Sequence, residues 1–261
     1  PKLKINTNSS SSDKEDANEK EGRLSVVQIF SRISKIPAFL CLVGQGVFGG
    51  IPWDMMSFCL LLLEWRSFTK EQIVFLQLTS GISGMIGGAL GGFLGDHFGS
   101  KGPLGRIAVA FTSKVIGTTF FCGYVFFDNY MLVLVCCNLF KLTATWTPAA
   151  AIRPLCADLA RNPSERAQIV ALWMLLEKTS ASVFGAPLVG YLTKTMLDKH
   201  KNDENEMDPA TKAAALSTNL FGLSVLFWGM CCFFWIVMAR TLNMKDFAGA
   251  EQIVKYQPVK H

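Results

Sequence analysis

The sequence predicts an all-α membrane protein, a bundle of six transmembrane helices. Half of its 261 residues are hydrophobic and only 17% are charged, whereas soluble domains carry about a quarter charged residues. The mean hydropathy is +0.31. The apolar residues gather into six long runs, 36–63, 73–95, 107–127, 130–152, 169–193 and 213–239. Each exceeds the ~20 residues with which a helix rising 1.5 Å per residue crosses ~30 Å of hydrocarbon. A soluble α/β chain would break such runs every 5 to 10 residues or so with turn chemistry.

Residues 1–35 come first, and 1–25 are polar and low in complexity, without the apolar core of a signal peptide. They read as a disordered linker that leads from some preceding segment into the bundle. The bundle is expected over 36–240 and a polar tail over 241–261. Lys2, Lys4, Lys14, Lys20, Arg23, Arg32 and Lys35 precede the first run, and Arg240, Lys245, Lys255 and Lys260 end or follow the last. An even number of spans puts both termini on one side, joined there by Lys101, Arg106, Arg161 and Arg166. By the positive-inside rule that side is the cytoplasm. The eight cysteines fall in or next to apolar runs with no zinc-type spacing, so they read as small hydrophobes and neither a metal site nor a cofactor is expected. Nothing points to nucleic acid as a partner.

The first run contains Gly44-Gln45-Gly46-Val47-Phe48-Gly49, a match to G-x-G-x-x-G. A dinucleotide site needs a strand before that motif and a helix after it. Here one apolar run passes straight through, and the glycines read as packing residues. Asp54, preceded by Trp53, lies a little beyond the middle of the same run.

The second run is built on glycine. Gly84, Gly88 and Gly92 recur every four residues, and so do Gly87, Gly91 and Gly95. In a soluble helix each glycine costs roughly 1 kcal/mol relative to alanine. In lipid, association relies on close backbone approach, and the two stripes occupy neighbouring faces. Two readings stand: close contact on more than one side, or a small-residue span packed against one neighbour. Gly81-Ile82-Ser83-Gly84 matches the G-x-S-G of rhomboid intramembrane proteases, but the histidines are His97, His200 and His261, all outside the runs. His97 is about 20 Å along the helix from Ser83, too far for a base that must hydrogen-bond the nucleophile. No enzyme is expected.

The remaining runs carry charge at depth. Lys114 lies near the centre of the third, Lys141 near the centre of the fourth, and Glu177 with Lys178 near the centre of the fifth. An ionisable group there costs roughly 2.5–3.5 kcal/mol on the gentler insertion scale, so each is a functional candidate. The competing reading is a structural ion pair or a snorkelling side chain. Arg106 and Arg153 read as interfacial anchors, and Trp53 and Trp146 as packing or stacking residues.

Gly92-Phe93-Leu94-Gly95-Asp96-His97-Phe98-Gly99-Ser100-Lys101 resembles the short-loop signature of the major facilitator superfamily, G-x-L-[AG]-D-x-x-G-[RK]-[RK]. Gly92, Leu94, Gly95, Asp96, Gly99 and Lys101 match, while His97 and Ser100 replace residues that are usually basic. Residues 158–167 resemble the other cytoplasmic turn of that family, with Arg166 opening the next helix. Residues 49–53 resemble its seventh helix and 185–190 the end of its eleventh.

The resemblance runs from about Lys35 to Arg240 and implies a linker plus the C-terminal six-helix half, made of two three-helix repeats. It implies alternating-access transport of a small solute by a secondary active transporter, with a missing N-terminal half as partner. Asp54, Trp53, Lys141, Glu177 and Lys178 are then candidates for binding substrate or ion. Lys114 is less favoured, because the ninth helix of this family is usually peripheral. Gly92, Gly95, Asp96, Gly99, Lys101 and Arg166 are candidates for a gating turn. Asp54 or Glu177 is the candidate proton carrier. The alternative is a non-transporting receptor or scaffold on the same fold.

Overall fold

A computed structural model describes residues 26–100, 102–160, 163–200 and 208–242. Most of the expected linker, the tail after Leu242, Lys101 and Arg161 lie outside the described residues. Six candidate membrane spans follow one another: Pro37–Trp65, Lys70–Gly99, Pro103–Phe126, Tyr130–Asp158, Glu165–Lys199 and Pro209–Thr241. Within the stretch read as linker, Val26–Ile33 form a short amphipathic helix, α1.

Local chemistry sets the helix ends. Pro37, Pro103 and Pro209 open their helices, where the missing N–H is an orphan in any case. Thr69 and Gln72 form a reciprocal capping box on α4 (Lys70–Gly99). Asn129 accepts from Met131 and Leu132 N–H to start α6 (Tyr130–Ala144) immediately after α5 (Pro103–Phe126).

Spans 1 and 4 are interrupted. Span 1 is α2 (Pro37–Met55), containing Pro52, followed after Ser57 by α3 (Phe58–Trp65). Span 4 passes from α6 through a π-helical turn at Pro148–Ile152 into α7 (Arg153–Asp158). Proline removes a backbone donor in each, and π-turns are frequent at functional sites. Spans 5 and 6 are α8 (Pro163–His200) and α9 (Pro209–Thr241).

The packing has internal symmetry. Span 1 packs on spans 5 and 6, as span 4 packs on spans 2 and 3, and span 3 packs on span 6. Exchanging the first three spans for the last three preserves this pattern, as two three-helix repeats require. Two apolar cores result. One surrounds Ile33, Phe39, Leu42, Leu155, Trp235 and Met238, and the other Met55, Leu62, Phe121, Phe140, Leu216 and Trp228. On span 1 the first core stops at Leu42 and the second begins at Ile51; on span 3 they are separated between Ala110 and Phe121. Lys114, Glu177 and Lys178 lie in that gap.

Candidate functional site

A cavity of about 330 Å³ opens in the gap, lined from spans 1, 3, 4 and 5. Gly46, Gly49 and Gly50 supply part of its wall. A Cβ at Gly46 would lie 2.7 Å from Trp173 Nε1, and one at Gly50 would lie 2.8 Å from Glu177 Cγ. Glycine here lets the Trp173 and Glu177 side chains approach span 1 closely. Thr145, Thr147 and Pro148 come from the interrupted part of span 4.

Lys114 lines the cavity from span 3 and is 5% exposed. Its carbonyl accepts from Thr118 Oγ1 at 2.7 Å, but among the described residues its ammonium makes no hydrogen bond and has no carboxylate within 4 Å. Its ammonium lies 5.8 Å from the Trp53 and Trp228 ring centroids. Lys141 approaches the same Trp53 ring at 4.9 Å. Two indoles and Phe140, which stacks on Trp53 at 5.6 Å, give these cations an aromatic bed worth about 0.5–2 kcal/mol per contact. Glu177 lines the opposite wall, 3.8 Å from Lys178 Nζ. Both Lys114 and Lys178 act on it electrostatically. Trp173 donates its indole N–H to Leu42 O at 3.0 Å, which fixes its ring beside the cavity.

The end of the bundle that carries α1 holds a second charged network. Asp96 pairs with Arg106 at 3.0 Å, and Arg106 also donates to Ala150 O at 3.2 Å. One guanidinium therefore ties spans 2, 3 and 4. Gly99 and Gly105 make this possible: a Cβ at Gly99 would lie 2.6 Å from Arg106 Nε, and one at Gly105 would overlap the Phe98 carbonyl. Asp158 is under the fields of Arg106 and Arg166. Arg32 of α1 pairs with the buried Glu165 and donates to Leu159 O at 3.5 Å, so α1 is fastened to the start of span 5. At the other end Arg66 donates to Phe127 O (2.7 Å), Val125 O (2.5 Å) and Ser217 Oγ (3.1 Å), joining spans 1, 3 and 6.

The chain is similar in structure to a bacterial homologue of the human lysosomal transporter Spinster, crystallised inward-facing and unoccupied, with a TM-score of 0.69 over 95% of this chain. The fold is one half of the major-facilitator type. Sequence identity to the homologue is 17%, and the chain spans 53% of its length. No family model matches the sequence, and no curated protein does.

Within this half fold the predicted site residues divide. Trp53, Glu177 and Lys178 line the cavity, and Lys141 stands behind Trp53. Asp54 is not among the lining residues; it packs against span 5, where a Cβ at Gly185 would lie 2.7 Å from Asp54 Cβ. Of the turn residues, Gly95 touches Ala150, Gly99 touches Arg106, Asp96 is paired, Gly92 has only ordinary contact with Ala149, and Arg166 is exposed. Lys101 is outside the described residues. Lys114, given less weight in the sequence, and Trp173, not singled out there, also line the cavity, and Arg153, read as an interfacial anchor, is exposed at its edge. The Gly44–Gly49 motif lies inside α2 and packs on Phe234, Trp173 and Cys231, and Ser83 donates to Asn138 Oδ1 at 2.6 Å.

Proposed function

We propose that this chain is one half of a secondary transporter that moves a small solute by alternating access through the cavity between spans 1, 3, 4 and 5. The observation that carries the reading is Lys114: a buried cation with no carboxylate within 4 Å among the described residues, lining a cavity between two interrupted helices and facing the field of Glu177 across it. Desolvating such a charge is expensive. Broken helices at mid-depth are where secondary transporters place substrate and ions. A second six-helix half would close the cavity, since the chain spans about half of the bacterial homologue. The basic excess puts both termini in the cytoplasm, so the Asp96–Arg106 turn becomes a cytoplasmic latch that breaks and reforms as the halves rock.

Cysteine labelling tests alternation without knowledge of the solute. In a cysteine-depleted form of the longest natural polypeptide containing this chain, Glu177→Cys should react with an impermeant thiol reagent from either face of a sealed membrane. Asp54→Cys should react at least about tenfold more slowly, being packed on span 5. Modification of position 177 from one face alone would mean a fixed pocket and would remove the transport reading.

Glu177 is the carboxylate placed to carry a coupling proton, because it lines the cavity within reach of two lysine fields. Glu177→Gln is expected to flatten the pH dependence of solute uptake, while Asp54→Asn leaves it intact. The reverse pattern would move the proton to Asp54.

A further inference from the structure

The charged groups around the cavity are unbalanced. Glu177 and Lys178 lie 3.8 Å apart on one helix and offset each other. Lys114 is buried in the same space with no carboxylate within 4 Å among the described residues and only the longer-range field of Glu177. Arg153 lines its exposed edge, and Lys141 shares the Trp53 ring with Lys114. Like charges in a low-dielectric site repel strongly. Cation–π contact with Trp53 and Trp228 softens that repulsion and cannot neutralise it. The lining also carries the polar groups of Gln45, Thr145 and Thr147, and the indoles of Trp53 and Trp173 enter it from spans 1 and 5. The volume, about 330 Å³, is at the low end for organic ligands.

We propose that the cavity is a binding site for a small organic anion: Lys114 holds its carboxylate, and the indoles of Trp53 and Trp173 flank its apolar body. This rests on the transport reading for its purpose and names the substrate class that the site takes. An anion supplies the close contact that Lys114 lacks, and its apolar part displaces water from the indole faces. A bare inorganic anion would satisfy the lysine and leave those faces wet. A cation would meet the buried Lys114 charge and find the one lining carboxylate, Glu177, already offset by Lys178.

Benzoate, benzamide and benzamidine make a test series of one shape and three charges. Their retention is measured by equilibrium dialysis against the purified chain in nanodiscs of zwitterionic lipid, with inorganic phosphate as competitor. Benzoate should be retained at least tenfold more strongly than benzamide, benzamidine should not be retained, and phosphate should not displace benzoate. Lys114→Met should lower benzoate retention at least tenfold while raising the melting temperature of the unliganded chain, since it removes a buried charge with no close ion pair among the described residues. A merely structural lysine would give the opposite shift. Glu177→Gln, which deletes the negative charge in the lining, should tighten benzoate severalfold. Equal retention of the three compounds, preference for benzamidine, displacement by phosphate, or no retention of any of them overturns the proposal. So does Glu177→Gln without effect. The assay needs no flux: benzoate binding in a chain that fails to alternate would sink the transport reading alone, whereas two-sided labelling with a preference for benzamidine would sink this inference alone.

Discussion

Span 2 carries two glycine stripes with the same spacing and different surroundings. Along one, a Cβ at Gly87, Gly91 or Gly95 would overlap Leu142 O, Trp146 Cα or Ala150 Cα, so glycine meets span 4 at every turn and meets its backbone. Along the other, Gly88 faces open space, and Gly84 and Gly92 make ordinary contact with Thr145 Cγ2 at 3.7 Å and Ala149 Cβ at 4.0 Å. The face beyond them exposes Ile82, Met85, Ile86 and Phe93. Spacing by four identifies a stripe. Whether the stripe is tight depends on the partner, because only a backbone at the same four-residue period can approach that closely.

The largest effect should come from the tight stripe. Gly91→Ala puts a methyl group into the span 4 backbone at Trp146, which has no rotamer to escape into. Overpacking of this kind costs roughly 1–3 kcal/mol, and the melting temperature of the chain in nanodiscs should fall accordingly. An unchanged melting temperature would mean that spans 2 and 4 are farther apart than this packing requires. A smaller effect belongs to the polar contact beside the stripe. Asn138 donates to Thr79 Oγ1 at 3.2 Å and accepts from Ser83 at 2.6 Å. Interhelical hydrogen bonds in membranes contribute about 0.6–2 kcal/mol, so Asn138→Leu should lower the melting temperature by less than Gly91→Ala. A larger loss from Asn138→Leu would make hydrogen bonding, and not backbone approach, the main tie between the two spans.

The same contrast explains what the sequence made legible. Six spans follow from hydropathy and length alone, and every apolar run lies within a span or overhangs it by one residue. The glycine period announced a helix contact and left its side open, because identical stripes differ only in what lies opposite. The cavity was half legible. Trp53 and Glu177 were singled out as charge or aromatic at mid-depth, and both line it. Asp54 was singled out on the same grounds and packs on span 5, one position away from Trp53 and so about 100° around the helix. Lys114 was discounted by analogy with a peripheral helix. Its own neighbours told otherwise: Ala110, Lys114, Gly117 and Phe121 follow a helical period and are all buried. Reading the stripe to which a charge belongs would have placed it inside the bundle. Arg32–Glu165 had no local signal, since 133 residues separate the partners.

The smallest effect should come from Gly88→Ala, and it is the sharpest test of the two-stripe contrast. A methyl group at Gly88 meets nothing within 4 Å, so no packing penalty applies, and replacing glycine by alanine restricts the unfolded chain. The melting temperature of the isolated chain should hold or rise, by at most the effect of about 1 kcal/mol that such substitutions produce. A fall like that of Gly91→Ala would show that both stripes are tight contacts and that the open face is already occupied, for instance by a second copy. If the substitution leaves the isolated chain unharmed yet stops labelling from both faces in the longer polypeptide, the open stripe is where another set of helices slides during alternation. Glycine would then be needed on one face for a fixed contact and on the next for a moving one.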